Sequence, residues 1–161
     1  MARDVAERVE VDGGVVVGDD GSDCAALALR WGAEEARLRN CVLHVVRAWS
    51  ISSAPRPQSW KVGYAPSLKE YEEAVAEEMR RDVAEHVSEF DGLNVQYHPV
   101  HAPSAQALLS ASTGADLLVV GSRGRGGFAG LVLGSVSEQV VRHAGCPVVV
   151  IRSNWATSRF S

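Results

Sequence analysis

Six glycines fall within fourteen residues: Gly121, Gly124, Gly126, Gly127, Gly130 and Gly134. At an average usage of about 7%, a stretch of that length would hold roughly one. Glycine contributes no side-chain chemistry, so what this segment offers is its backbone. Without a Cβ, peptide N–H groups can approach a ligand closely. The segment follows an apolar run, Asp116-Leu117-Leu118-Val119-Val120, and precedes a helix-like stretch opening at Ser135. A strand, a glycine loop and a helix N-terminus together form a cradle for an anion. The candidate donors are the N–H groups of Gly124 to Gly127 and of Gly134, Ser135, Val136 and Ser137, with the hydroxyls of Ser135 and Ser137. Arg123 and Arg125 add positive charge, or are ordinary solvated loop residues. Ser135 also reads as a plain helix cap with Glu138 three residues on.

A second polar cluster, Gly18-Asp19-Asp20-Gly21-Ser22, closes an early β-branched run. The Asp20 carboxylate suits a ribose hydroxyl or a metal ion; its alternative is a turn residue. Charge-assisted hydrogen bonds contribute about 1.5–3 kcal/mol each, so four give roughly 6–12 kcal/mol gross. Micromolar affinity requires about 8 kcal/mol net. A phosphate cradle therefore needs a second contact, such as a buried base. The histidines offer less. His98 and His101 lie on opposite faces if the segment is a strand, and His44 reads as a core histidine.

The elements that must position these residues follow from the apolar pattern. Strands are expected at Gly14–Val17, Val42–Val46, Asn94–Val100, Asp116–Val120 and Pro147–Ile151. The third is an edge strand because Pro99 sits in it. Helices are expected from Ser22 or Asp23 to Arg39, from the Ser67-Leu68-Lys69-Glu70 capping box to Phe90, from a Ser104 cap to Thr113, and from a Ser135 to Glu138 capping box to Ala144. The second helix carries one apolar stripe, with Leu68, Tyr71, Val75, Met79, Val83, Val87 and Phe90 at three- and four-residue steps. Between the second strand and that helix, a loop over 49–66 is broken by Pro55, Pro57, Gly63 and Pro66. Strictly alternating strands and helices predict an α/β fold, a single doubly wound domain with a five-stranded parallel sheet and helices on both faces. Ligands of such sheets sit beyond the strands' carboxyl ends, where the winding reverses. In the order 3-2-1-4-5 that point lies between strands one and four, and both polar clusters meet there.

The 161 residues fit one domain spanning 1–161, with 1–12 and 153–161 expected as loose ends. A net charge of −4 disfavours nucleic acid as a partner. No apolar run reaches the ~20 residues of a membrane helix, and no signal peptide is read at the start. Cys24, Cys41 and Cys146 are an odd set beside apolar segments, expected as free thiols in a cytoplasmic protein.

The two clusters resemble those of the universal stress protein family. Its nucleotide-binding members carry G-x2-G-x9-G-[ST], matched here by Gly121, Gly124, Gly134 and Ser135. Val17-Gly18-Asp19-Asp20-Gly21-Ser22 is similar to the family's opening V-G-x-D-G-S. Leu43-His44-Val45-Val46 is similar to its second strand, and Gly134 to Val150 to its closing helix and strand. The resemblance implies the order 3-2-1-4-5 and a bound adenine nucleotide (ATP, ADP or AMP, with Mg), Asp20 holding either the ribose or the metal. By position, Gly18, Asp19 and Val45 would line adenine, and Gly121, Arg123 and Gly124 would bracket ribose and α-phosphate. Gly134, Ser135, Val136 and Ser137 would take the outer phosphates. Two departures stand out: Asp19 replaces a usual apolar residue, and Ala102-Pro103-Ser104-Ala105 replaces G-x-P-A. The resemblance also implies a homodimer through the last strand, Val148, Val149, Val150 and Ile151. An unpaired apolar edge strand independently calls for a cover.

The function expected is an adenine-nucleotide-binding regulatory protein of the stress response, acting as a homodimer on an unknown protein partner. A slow Mg-dependent ATPase is the enzymatic alternative. Against it, both lysines, Lys61 and Lys69, lie outside the glycine loop, and no general base is placed. The third reading is a nucleotide-free dimeric interaction module.

Overall fold

The computed structural model describes residues 5–124 and 133–154. Nine elements alternate along the described residues. They are β1 (Val15–Gly18), α1 (Asp23–Arg39), β2 (Leu43–Ala48), α2 (Leu68–Val87), β3 (Val95–Val100), α3 (Ser104–Ser112), β4 (Leu117–Gly121), α4 (Ser135–His143) and β5 (Val148–Ile151). The five strands form one sheet in the order β3-β2-β1-β4-β5. Every pairing is parallel, with Val17 opposite Val45 and Val119, and Val46 opposite His98. The expected fold class and strand order are both present.

Period-two alternation splits the buried residues into two cores, one on each face of the sheet. Val15, Val17, Leu43, Val45 and Met79 belong to the face covered by α1 and α2. Val16, Val46, Leu108, Leu118 and Val140 belong to the opposite face, which α3 and α4 cover. Fully burying a side chain of this size stabilises by about 1.5–3 kcal/mol. Gly32 sets how closely α1 lies on the sheet. A Cβ there would stand 2.4 Å from Val17 Cγ2, so even alanine would force the layers apart.

Local signals explain most boundaries. Ser22 caps α1, accepting from Ala25 N–H at 3.2 Å, and Asn40 ends it in the left-handed region at φ 52°. At the start of α2 both halves of the capping box form: Glu70 N–H donates to Ser67 Oγ, and Ser67 N–H to the Glu70 carboxylate. Two expected caps do not form. The residue before α3 is Pro103, not Ser104, and the residue before α4 is Gly134, not Ser135; neither gives a side-chain cap. Glu138 pairs instead with Arg142, one turn along, at 2.8 Å.

The lead expected to be loose is anchored over residues 5–12. Val5 and Val9 are buried. Ala6 N–H donates to Glu72 Oε1 and its carbonyl accepts from His101 N–H, while Val9 N–H donates to Ser110 Oγ. Two valines four residues apart each find one of the two cores, which a reading of the lead as polar overlooks. Of the expected loose end at 153–161, residues 155–161 lie outside the described residues. Cys24, Cys41 and Cys146 are free thiols, as expected. No described helix is long and apolar enough to cross a membrane.

Candidate functional site

The cleft opens where β1 and β4 separate, beyond their carboxyl ends. Two consecutive aspartates shape the turn after β1. Asp19 Oδ1 accepts from Gly21 N–H at 3.0 Å, and Asp20 Oδ1 accepts from Ser22 N–H at 2.9 Å. These bonds fold the chain sharply into α1, with Gly21 at φ 78°. Asp20 then reaches the loop after β4. A Cβ on Gly124 would stand only 2.6 Å from Asp20 Oδ2. The two polar clusters, about a hundred residues apart in sequence, are thus in contact.

The far wall is the N-terminus of α4. Gly134 N–H donates to the Ser122 carbonyl at 2.7 Å, pinning the returning chain to the end of β4. The helix then starts without a side-chain cap. Its first-turn N–H groups have no intrahelical acceptor, and the helix dipole makes that end favourable for negative charge. Ser135 is exposed, whereas Ser137 is buried. The Ser137 hydroxyl donates to the Gly121 carbonyl at 2.6 Å, so it braces the cradle rather than offering a free donor.

Between these walls lies a cavity of about 470 Å³. That falls within the roughly 300–1,000 Å³ typical of small-molecule sites. Of the expected residues, Gly18, Asp19, Asp20, Gly121, Arg123, Gly124, Gly134, Ser135, Val136 and Ser137 all line it. Val45 does not; it is fully buried in the α1/α2 core, and its neighbour Val46 lines the cavity. The strand's alternation fixes this, since adjacent residues face opposite ways. Arg125 lies outside the described residues, as do Gly126 and Gly127.

Asp19 lines the cavity, yet its charge is engaged elsewhere. It is buried, and its carboxylate pairs with the Arg47 guanidinium. Arg47 also reaches Glu78 and Asp82 on α2, each at 3.0 Å. Burial alone would lower the guanidinium pKa; the Asp19 and Asp82 carboxylates more than offset this and raise it. The apolar-to-acidic departure at 19 is thus matched by a cation at 47. The sequence reading stopped the second strand at Val46 and so missed Arg47. A charged residue directly following a continuous apolar run was the available signal. Trp49, Glu78, Ser104 and Leu108 also line the cavity and were not anticipated.

The histidines do not form a metal site with one another. His98 pairs with His44 across β2 and β3, Nδ1 of His44 lying 3.0 Å from Nε2 of His98. His101 instead stacks on Trp49, with ring centroids 4.6 Å apart. Burial, and then the neighbouring His44, push His98 down to about 4. Burial also lowers His44, with a partial offset from a hydrogen bond to the Gly13 backbone. Among the described residues no three His, Cys, Asp or Glu side chains converge to hold a metal ion.

Known proteins share this architecture. A universal stress protein UspA from Lactobacillus plantarum superposes with a TM-score of 0.67 at 21% identity, covering 90% of this chain and 100% of that one. A universal stress protein in complex with cAMP gives a TM-score of 0.60 at 26% identity, covering 87% and 95%. In sequence, a universal stress protein of Mycobacterium tuberculosis is 38% identical over 154 residues, covering 88% of this chain and 48% of the relative. One from Mycolicibacterium smegmatis is 34% identical over 149 residues, with 88% and 48% covered. The chain thus spans about half the length of these curated relatives. The family model for the universal stress protein family matches residues 14–152, from the strand that opens the cleft to the end of the edge strand, and the chain belongs to that family.

Proposed function

We propose that this cleft binds an adenine nucleotide and that occupancy regulates the protein's interactions in a stress response. The phosphates lie against the N–H groups of Gly134 to Ser137 and the backbone of Gly124. The ribose lies by Asp20, and the base toward the ends of β1 and β2, where Val46 replaces Val45 as the expected contact. The observation that carries this reading is the uncapped start of α4, facing Gly124 and Asp20 across a cavity of nucleotide size. A helix end lacking a side-chain cap needs acceptors, and phosphate oxygens supply them. The relative in complex with cAMP supports the choice of an adenine nucleotide. ATP, ADP and AMP are all candidates. With two or more phosphates, Mg would be held by phosphate oxygens and Asp20, because the described residues offer no metal-binding cluster of their own there. The reading extends to a homodimer through the β5 edge, in the cytoplasm, acting on a protein partner.

Calorimetric titration with ATP, ADP, AMP and cAMP, with Mg and with a chelator, tests it. At least one should bind in the micromolar range. Gly124→Val fills the space between the loop and the Asp20 carboxylate. It should weaken binding at least tenfold, about 1.4 kcal/mol, with the melting temperature little changed because Gly124 is exposed. No heat with any of them at millimolar concentration rejects the proposal.

A further inference from the structure

Residues 5–12 lie outside the stretch 14–152 that the family model matches, yet they are built into the fold. Val5 is buried in the core under α1 and α2, and Val9 in the core under α3 and α4. A segment this short that reaches both cores has to cross the sheet at its margin. It crosses at the carboxyl end of β3, the edge strand, where the Ala6 carbonyl accepts from His101 N–H at 2.8 Å. In a parallel sheet this is also the end on which the cleft opens. On α2, Glu72 Oε1 accepts from Ala6 N–H at 2.9 Å, while its Oε2 pairs with Lys69 at 3.0 Å. The Glu72 side chain is only 11% exposed, so the bond to Ala6 is largely shielded from water. On α3, Ser110 Oγ accepts from Val9 N–H at 3.1 Å.

These anchors stand directly behind one wall of the cavity. Trp49 lines that wall and is itself buried. Its backbone N–H donates to the Val100 carbonyl at 2.8 Å, and its ring stacks on His101, the residue whose N–H holds Ala6. Val5 shares an apolar cluster with Trp49 and Val75, against which Ala54 packs; Trp49, Ala54 and Val75 all line the cavity. We propose that residues 5–9 form a strap that positions the Trp49 wall of the cleft, with Glu72 as its latch, and that strap closure and nucleotide occupancy reinforce each other. The coupling rests on the nucleotide reading above; the strap's hold on Trp49 does not. Few backbone bonds tie the strap down, so it opens at the low end of local unfolding free energies while the sheet stays intact. A ligand packed against the wall binds the closed form better and so favours closure. By linkage, closure then favours the ligand by the same factor.

The test combines amide hydrogen exchange of the full chain, read residue by residue by NMR with and without saturating ATP, with calorimetric titration of ATP. Glu72→Ala removes the acceptor for Ala6 N–H, and Val5→Ser removes the apolar anchor. Each should speed exchange at the Ala6, His101 and Trp49 N–H groups about tenfold or more, with the amides of β1 and β4 unchanged. Each should also weaken ATP about tenfold, and ATP should slow exchange at the same three groups in the wild type. Glu72→Gln, whose carbonyl still accepts from Ala6 N–H, should stay near the wild type in both measurements. Exchange that rises uniformly across the sheet would make the segment plain core packing and overturn the proposal. Unchanged Trp49 exchange in both variants would overturn it too. Equal ATP affinity in the wild type and the two variants overturns the coupling and leaves the nucleotide reading in place. Failure of ATP, ADP and AMP to bind the wild type removes that reading and the coupling with it.

Discussion

Asp19 and Asp20 are the same residue type at adjacent positions, and the backbone sends them to different surroundings. Asp20 faces the glycine loop, while Asp19 turns beneath α2 to a buried arginine. Removing one partner of a buried pair costs about 3–5 kcal/mol when the other charge is stranded. Arg47→Met strands Asp19, whose side chain is only 2% exposed, and leaves Glu78 and Asp82 facing each other's charge. Asp19→Asn strands nothing, since Arg47 keeps two carboxylates and the amide can still accept from Gly21 N–H. Urea unfolding should therefore show a loss of about 3 kcal/mol or more for Arg47→Met and clearly less for Asp19→Asn. The His44–His98 pair gives a pH dependence of definite sign. Both imidazoles titrate below their usual range in the folded protein, so the unfolded chain takes up their protons first. Their contribution is fully present above the unfolded pKa of about 6.5 and is lost as the pH falls through the folded values. For His98 that folded value is about 4. Melting temperatures of the wild type and His98→Gln, compared from pH 7.5 to pH 4, should converge as the pH drops. A constant gap across that range would contradict the assignment.

At the scale of elements, what could be read in the sequence depended on whether local chemistry alone decided the outcome. Ser67 and Glu70 form their capping box through contacts within their own turn, and the Tyr64 hydroxyl, which also donates to the Glu70 carboxylate, does not displace Ser67 N–H. Ser135 and Glu138 have the same spacing and form no such box. Gly134 is pinned to the Ser122 carbonyl, which makes Gly134 the residue before the helix and moves Ser135 into its first turn. That hydrogen bond is tertiary, between segments twelve residues apart, so a local motif could not reveal it. The consequence is measurable. A true cap residue costs about 1 kcal/mol when replaced by alanine. Ser135→Ala should instead leave stability within about 0.5 kcal/mol, as at ordinary surface positions. Its effect should fall on nucleotide affinity, because the exposed hydroxyl lines the cavity. A stability loss of about 1 kcal/mol with unchanged binding would restore Ser135 as the cap.

Across the whole molecule, the alternation of apolar strands with capped helices was sufficient for the fold. The glycine spacing was sufficient for one wall of the site. The opposite wall was hidden because Arg47, Trp49 and Glu78 come from a strand end, a loop and a mid-helix position that only the folded chain brings together. The edge strand carries the remaining consequence. Leu118 N–H donates to the Pro147 carbonyl and Ser122 N–H to that of Ile151, so the odd-numbered peptide groups of β5 face β4. Alternation turns the N–H and C=O of Val148 and Val150 outward, toward the open side of the sheet. An open apolar edge is a template for another strand, and a second copy of this chain offers an identical one. Proline at position 150 removes an outward donor without touching the bond to β4, and edge strands tolerate it. Sedimentation should therefore give twice the chain mass for the wild type and the single chain mass for Val150→Pro, with both proteins equally helical by circular dichroism. A wild type that sediments at 17.2 kDa would show that this edge needs no second copy. A Val150→Pro variant that remains dimeric would move the contact to another face.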